Sequence, residues 1–307
     1  MKEKYIYHQD LKKYRNFNVP INRILIFFSH IFLGLLYYFQ KSNKYIYVKK
    51  FKIKSYDNKR IKNIIYTPKG IELNKRCLYF IHGGGFVFNG SYHHYELVKK
   101  MAIKLKCKAI YVDYRLAPKY KFPTAPQDVF EVYKWIVAHS EELDINKEEI
   151  VIMGDSAGGN LSALTTILAK ENNLVLPKIN ILLYPVLLDG IKTESQIKYI
   201  DTPLCNSKDL DKYSKYYYGS NKEYKRVMKA PYDIELFLDY PSTYIEVAEY
   251  DCLHDDGVLF YNKLKEHGIV TSLNEVKGAM HGYDIAINSK LVEELIDKRV
   301  KFINDNI

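Results

Sequence analysis

Six short apolar runs constrain the fold of this chain more than any other feature. They lie at residues 77–81, 109–112, 150–153, 179–184, 244–248 and 270–273. Their length and their Ile, Val, Leu and Tyr content are those of strands buried on both faces. Helical patterns at 95–106, 129–140, 161–170 and 257–267 fall between most of them, and 289–303 closes the chain as a helix. Such alternation predicts a mostly parallel central sheet with helices on both faces. Ahead of it, 45–48, 51–54 and 61–66 alternate in polarity and predict antiparallel strands at a sheet edge.

The 307 residues suffice for one large α/β domain or two small ones. Only the interval 187–238 breaks the alternation. It is rich in Tyr, Lys and Asp and holds no buried-strand run, although 209–218 reads as a helix with Leu210, Tyr213, Tyr216 and Tyr217 on one side. An insertion of this length between core strands suits a lid or a binding wall.

Residues 1–50 carry ten Lys or Arg against Glu3 and Asp10, and so supply +8 of the net charge of +10. Arg is scarce, which argues against specific phosphate or base reading and so against nucleic acid as a partner. The segment 21–39 is apolar at helical spacing through Ile21, Ile24, Leu25, Phe28, Phe32, Leu35, Leu36 and Phe39. Asn22, Arg23, Ser29, His30, Gln40 and Lys41 gather on the other side, interrupted by Ile26, Leu33 and Tyr37. Its uncharged part is shorter than the roughly 20 residues of a bilayer span and has no small-residue cleavage site. Three readings stand, in this order: a helix over the protein's own core, an interfacial membrane helix, or a short signal anchor. Contact of residues 1–50 with an anionic membrane surface is therefore one expectation, and a homodimer is left open.

Cys77, Cys107, Cys205 and Cys252 lack metal-ligand spacing, and most sit in or beside apolar runs. Buried free thiols are expected, with a cytoplasmic location, no metal and no cofactor.

The chemistry-bearing residues cluster just after the predicted strands, where sheets of this kind bind ligands. After 150–153 comes Gly154-Asp155-Ser156-Ala157-Gly158-Gly159, followed at once by a helix. Gly-x-Ser-x-Gly between a strand and a helix is the nucleophile-elbow pattern, with Ser156 on the turn. After 77–81 comes His82-Gly83-Gly84-Gly85, whose backbone N–H groups suit an oxyanion hole, together with the N–H of Ala157. The residues fit no phosphate-loop pattern. After 244–248 the acidic stretch Glu249 to Asp256 offers carboxylates able to orient an imidazole. Asp255 and Asp256 also suit the start of the next helix. Last comes His281, in the loop Gly278-Ala279-Met280-His281-Gly282. Ser, then acid, then His is the chain order of an α/β-hydrolase triad.

These motifs resemble the hormone-sensitive-lipase family of α/β-hydrolases. The further blocks Tyr114-Arg115-Leu116-Ala117-Pro118, Phe122-Pro123 to Asp128, Asp251 to Gly257 and Met280-His281-Gly282 resemble that family's in order and spacing, from about Lys62 to the C-terminus. The resemblance implies an α/β-hydrolase fold with a helical cap. It implies Ser156 as nucleophile, Asp251 as acid and His281 as base, with Gly84, Gly85 and Ala157 as oxyanion donors and His82, Gly83 and Asp155 supporting the loops. Residues 1–45 and 187–238 correspond to the cap, and 46–186 with 239–307 to the core. Lys119 stands where the family usually has Glu, and Cys252 where it usually has Pro. The activity implied is a serine carboxylesterase acting on short- to medium-chain acyl or acetyl esters of small molecules. Amide hydrolysis and non-catalytic ligand binding on the same fold are the alternatives.

Overall fold

Every apolar run enters a strand of one sheet, and those at its centre are covered on both faces at once. The computed structural model describes residues 4–219 and 230–307. Its strands are β1 (Ile46–Lys54), β2 (Arg60–Pro68), β3 (Cys77–Ile81), β4 (Lys108–Asp113), β5 (Ile150–Asp155), β6 (Ile179–Leu183), β7 (Ser242–Tyr250) and β8 (Thr271–Met280). They form one sheet in the order β1-β2-β4-β3-β5-β6-β7-β8. The pairs β1–β2 and β2–β4 are antiparallel, and the remaining pairs are parallel. The central strands β3, β5 and β6 are buried at every residue, which is why they read as unbroken apolar runs. Strand β8 runs seven residues past the 270–273 pattern because an edge strand can alternate, with Glu275 and Lys277 exposed and Val276 buried.

The helices are α1 (Arg23–Phe39), α2 (Tyr92–Leu105), α3 (Thr124–Ala138), α4 (Ala157–Glu171), α5 (Glu194–Lys198), α6 (Ser207–Tyr218), α7 (His254–Glu266) and α8 (Lys290–Asp305). Apolar side chains of α2 and α8 pack on one face of the sheet, and those of α3, α4 and α7 on the other.

Between β6 and β7 the chain leaves the sheet through α5 and α6, and residues 220–229 of this insertion lie outside the described residues. Two carboxylates tie its start to the core. Asp256 Oδ2 accepts the N–H groups of Leu187 and Leu188 at 2.9 and 3.0 Å, and Asp255 Oδ2 accepts that of Ser195 at 2.8 Å. Both acids stand in the first turn of α7 and reach across to the insertion, while Asp255 Oδ1 also meets His254 Nδ1 of its own helix at 2.9 Å.

Helix α1 corrects one expectation. The side chains that interrupt its polar side are the ones that pack: Ile26 and Tyr37 are buried, and His30 Nε2 donates to the Val87 carbonyl at 2.6 Å. Much of the continuous apolar stripe, from Ile24 to Phe39, is exposed. Helical periodicity marks where apolar residues are, not which face the rest of the chain covers. Among the described residues no helix is long and apolar enough to cross a membrane.

Candidate active site

The turn between β5 and α4 is as tight as its sequence requires. Ser156 has φ 52° and ψ −117°, a conformation that costs a non-glycine residue about 1–3 kcal/mol. A Cβ on Gly154 would collide with the Gly158 carbonyl, and one on Gly158 with the Ile81 carbonyl. The two glycines therefore let the elbow close against both its own helix and the end of β3. The Ser156 N–H donates to the Leu183 carbonyl at 2.8 Å, which fixes the turn to β6 as well.

His281 follows β8 and Asp251 follows β7, and the sheet brings both to the elbow. His281 Nδ1 lies 2.7 Å from Asp251 Oδ2, and its Nε2 lies 2.9 Å from Ser156 Oγ. A carboxylate only accepts, so Nδ1 carries the proton and Nε2 is free to accept from the serine hydroxyl. The other oxygen of Asp251 accepts the Leu253 N–H at 2.9 Å, and the carboxylate is fully buried. Burial pushes the His281 imidazole down, but Asp251 outweighs it and raises the group above the ordinary histidine value.

The glycine loop after β3 is held from beneath. Asp155 Oδ1 accepts the Gly83 N–H at 2.9 Å, and its Oδ2 faces His94 Nε2 at 3.1 Å. The Ser91 N–H donates to His94 Nδ1, so the proton of that ring points at Asp155. Burial raises the Asp155 carboxyl, but His94, His93 and the Gly83 N–H together bring it down to about 2. His82 stacks on Tyr114 at 4.4 Å between ring centroids and, under burial, falls to about 3, so it stays neutral. Its Nδ1 donates to the Gly83 carbonyl at 2.7 Å. Arg115 and Asp128 from the sequence blocks are bound to each other and to Asp57 and Ser55, while the Ala117 N–H donates to the Phe86 carbonyl at 3.0 Å. These blocks thus pin the glycine loop and do not touch Ser156.

Ser156, His281, Gly84 and Gly85 open onto a cavity of about 1520 Å³. Leu25, Phe28, Phe32 and Leu36 of α1 and Leu210, Tyr213 and Tyr217 of α6 line it. Tyr213 lies so close to Gly85 that a Cβ there would overlap its ring. Among the described residues no three His, Cys, Asp or Glu side chains converge to hold a metal ion.

A family model for the alpha/beta hydrolase fold matches residues 78–285. The chain belongs to the α/β-hydrolase family. Within that family its relatives place it in the hormone-sensitive-lipase group. This α/β-hydrolase is 32% identical over 224 residues to an arylesterase of Saccharolobus solfataricus, with 71% of each chain covered. It is 28% identical over 208 residues to an ethyl acetate hydrolase of Pseudomonas putida, covering 67% of this chain and 65% of that one. A hyperthermophilic esterase of the archaeon Pyrobaculum calidifontis superposes with a TM-score of 0.80 at 25% identity, over 96% of each chain.

The structure brings together Ser156, Asp251, His281, Gly84, Gly85 and Ala157, with Asp155, His82 and Gly83 behind them. Sequence reasoning missed three supporting features of the hydrolase. One is His94, which carries no motif of its own. Another is Tyr184, whose ring meets His281 edge-on at 4.9 Å and whose hydroxyl donates to Asp284 at 3.0 Å. The third is the buried Arg299, paired with Glu246 at 2.6 Å and with Asp284 at 3.1 Å. Glu246 inside an apolar run did signal a buried partner, since such a charge needs one. Which residue supplied it, 53 positions on, could not be read from local pattern.

Proposed function

We propose that this protein is a serine carboxylesterase that cleaves short- to medium-chain acyl esters of small molecules. Ser156 is the nucleophile, and His281 takes its proton through Nε2 while Asp251 holds the imidazole's tautomer and stabilises the imidazolium. The N–H groups of Gly84, Gly85 and Ala157 receive the charge that develops on the carbonyl oxygen. Collapse of the tetrahedral species expels the alcohol, protonated by His281, and leaves an acyl-Ser156. Water activated by the same imidazole then releases the acid. Residues 1–45 and 187–238 act as the cap, and the acyl chain lies against those of their apolar side chains that line the cavity, Leu25, Phe28 and Phe32 on one side and Leu210 and Tyr213 on the other.

The hydrogen-bonded series from Ser156 through His281 to Asp251, opening onto an apolar cavity, carries this reading. The kinship with enzymes named as esterases supports ester rather than amide substrates. Burying an acyl chain contributes about 0.8 kcal/mol per CH₂, so preference should climb with chain length until the cavity is full. Turnover of p-nitrophenyl acetate, butyrate and hexanoate tests the proposal. Wild type should hydrolyse all three, with Ser156→Ala inactive on each; full activity in that variant would remove Ser156 from the reaction.

A further inference from the structure

Helix α1 presents three faces, and among the described residues the fold and the cavity use only two of them. Ile26, His30 and Tyr37 face inward, with the Tyr37 hydroxyl donating to the Asn63 carbonyl at 3.2 Å. Leu25, Phe28, Phe32 and Leu36 face the cavity. The third face is the stripe Ile24, Phe27, Ile31, Leu35 and Tyr38, spaced by three or four residues as one side of a helix must be. Its members are exposed, Ile24 by 69%, Phe27 by 62% and Tyr38 by 54%. A continuous apolar stripe about 20 Å long, at 1.5 Å rise per residue, is more than the scattered apolar residues of an ordinary surface.

The charges around the stripe say what covers it. Between Asp10 and Asp57 the chain contains no acidic residue. Arg23 stands at one end of α1 and Lys41 and Lys44 at the other, all exposed. The neighbouring edge strand β1 adds exposed Lys49, Lys50, Lys52 and Lys54. Lys50 Nζ donates to the Tyr38 carbonyl at 2.7 Å, so this basic edge adjoins the end of the stripe. A second copy meeting the same face about a two-fold axis would set lysine against lysine. An apolar stripe with aromatic members, rimmed by lysines, matches a bilayer surface that carries negative headgroups.

We propose that α1 docks the protein onto an anionic lipid surface, with the outer stripe in the acyl boundary and the lysines among the headgroups. Phe28 and Phe32 both line the cavity and remain partly exposed, so one wall of the cavity then stands at the lipid boundary. This last point rests on the esterase reading: a substrate dissolved in the bilayer would reach Ser156 along α1. The docking itself does not depend on that reading.

Sedimentation of the full chain with lipid vesicles tests it, without substrate. Wild type should pellet with phosphatidylcholine vesicles containing phosphatidylglycerol at low salt, stay in solution with phosphatidylcholine alone, and leave the anionic vesicles at high salt. Ile24→Ser/Phe27→Ser/Ile31→Ser should lose sedimentation yet hydrolyse soluble p-nitrophenyl acetate as wild type does, because none of the three lines the cavity. Lys41→Glu/Lys44→Glu should weaken binding to anionic vesicles while leaving the stripe intact. Wild type remaining in the supernatant at low salt would overturn the proposal, as would equal pelleting of the serine variant. So would a wild-type dimer that the serine variant converts to monomer, which would make the stripe a contact between copies. If wild type pellets but hydrolyses no ester, the docking stands and the esterase reading fails.

Discussion

Asp155 Oδ1 accepts the Gly83 N–H at 2.9 Å, so the residue just before Ser156 holds the loop that presents Gly84 and Gly85. Ser156 and the N–H groups of Gly84 and Gly85 are thereby tied to each other through one hydrogen bond, with His94 bracing the far oxygen. Asp155→Ala should release the loop while leaving Ser156 and His281 in contact. A misplacement on the order of 1 Å can cost about 100-fold in rate, so kcat should fall by about 10- to 100-fold with KM little changed. Asp155→Asn, which keeps an acceptor for Gly83, should recover part of that loss. Steady-state kinetics on p-nitrophenyl butyrate decides, and an Asp155→Ala enzyme with wild-type kcat would show that the glycine loop holds itself.

The pH dependence follows from His281. Asp251 raises this imidazole above its ordinary value, against the effect of burial. Only the neutral ring accepts the serine proton, so kcat/KM should climb as pH rises through the raised pKa and then level off. The midpoint should lie above the ordinary histidine value of about 6.5. Asp251→Asn should lower the plateau strongly and move the midpoint toward acid. A midpoint below that of free histidine in wild type would mean that Asp251 does not govern the ring.

Asp256 makes a separate prediction for stability. Burial raises its carboxyl to about 7, with Asp251 and Asp255 adding to the rise while the Leu188 and Leu187 N–H groups oppose it. The folded state thus holds a proton that the unfolded chain has already released between pH 3.8 and about 7. Stability should fall as pH rises through that window. Asp256→Asn, which keeps an acceptor for the two N–H groups but cannot titrate, should flatten the decline. Thermal unfolding across pH 4 to 8, roughly the range from the unfolded to the folded value, measures it; equal slopes in the two proteins would count against a titrating Asp256.

Cys205 of the insertion and Cys252 beside Asp251 offer a ruler for how the insertion is seated. Their Sγ atoms are 3.8 Å apart, within a small shift of the roughly 2.05 Å of a disulfide. Diamide, an azo oxidant that takes up the two hydrogens, should join this pair, which is buried like Cys77 and Cys107 but has its sulfurs already adjacent. Peptide mapping should find the 205–252 link; a link from Cys205 to another cysteine instead would mean that the insertion sits elsewhere.

The sheet was legible because its central strands are covered on both faces and therefore apolar throughout, as at 77–81 and 150–153. The candidate site was legible because each of its parts follows a strand end and carries a residue type that the proposed chemistry requires, such as Ser156 between Gly154 and Gly158. What stayed hidden depends on contacts between distant segments. His94 gains its role only from Asp155, and Arg299 only from Glu246 and Asp284. Which face of α1 is covered depends on Val87 and Asn63, which no pattern within 21–39 can report.

Covalent labelling of Ser156 is the most direct measurement of all. A p-nitrophenyl phosphonate, which places a stable tetrahedral group where the acyl intermediate would form, should release one equivalent of nitrophenol per chain. Mass spectrometry should find the adduct on the peptide containing Ser156, with hydrolysis of p-nitrophenyl butyrate lost in proportion. Ser156→Ala should neither label nor hydrolyse. Full hydrolytic activity in a fully labelled enzyme, or labelling at another residue that alone tracks the loss, would contradict Ser156 as the nucleophile.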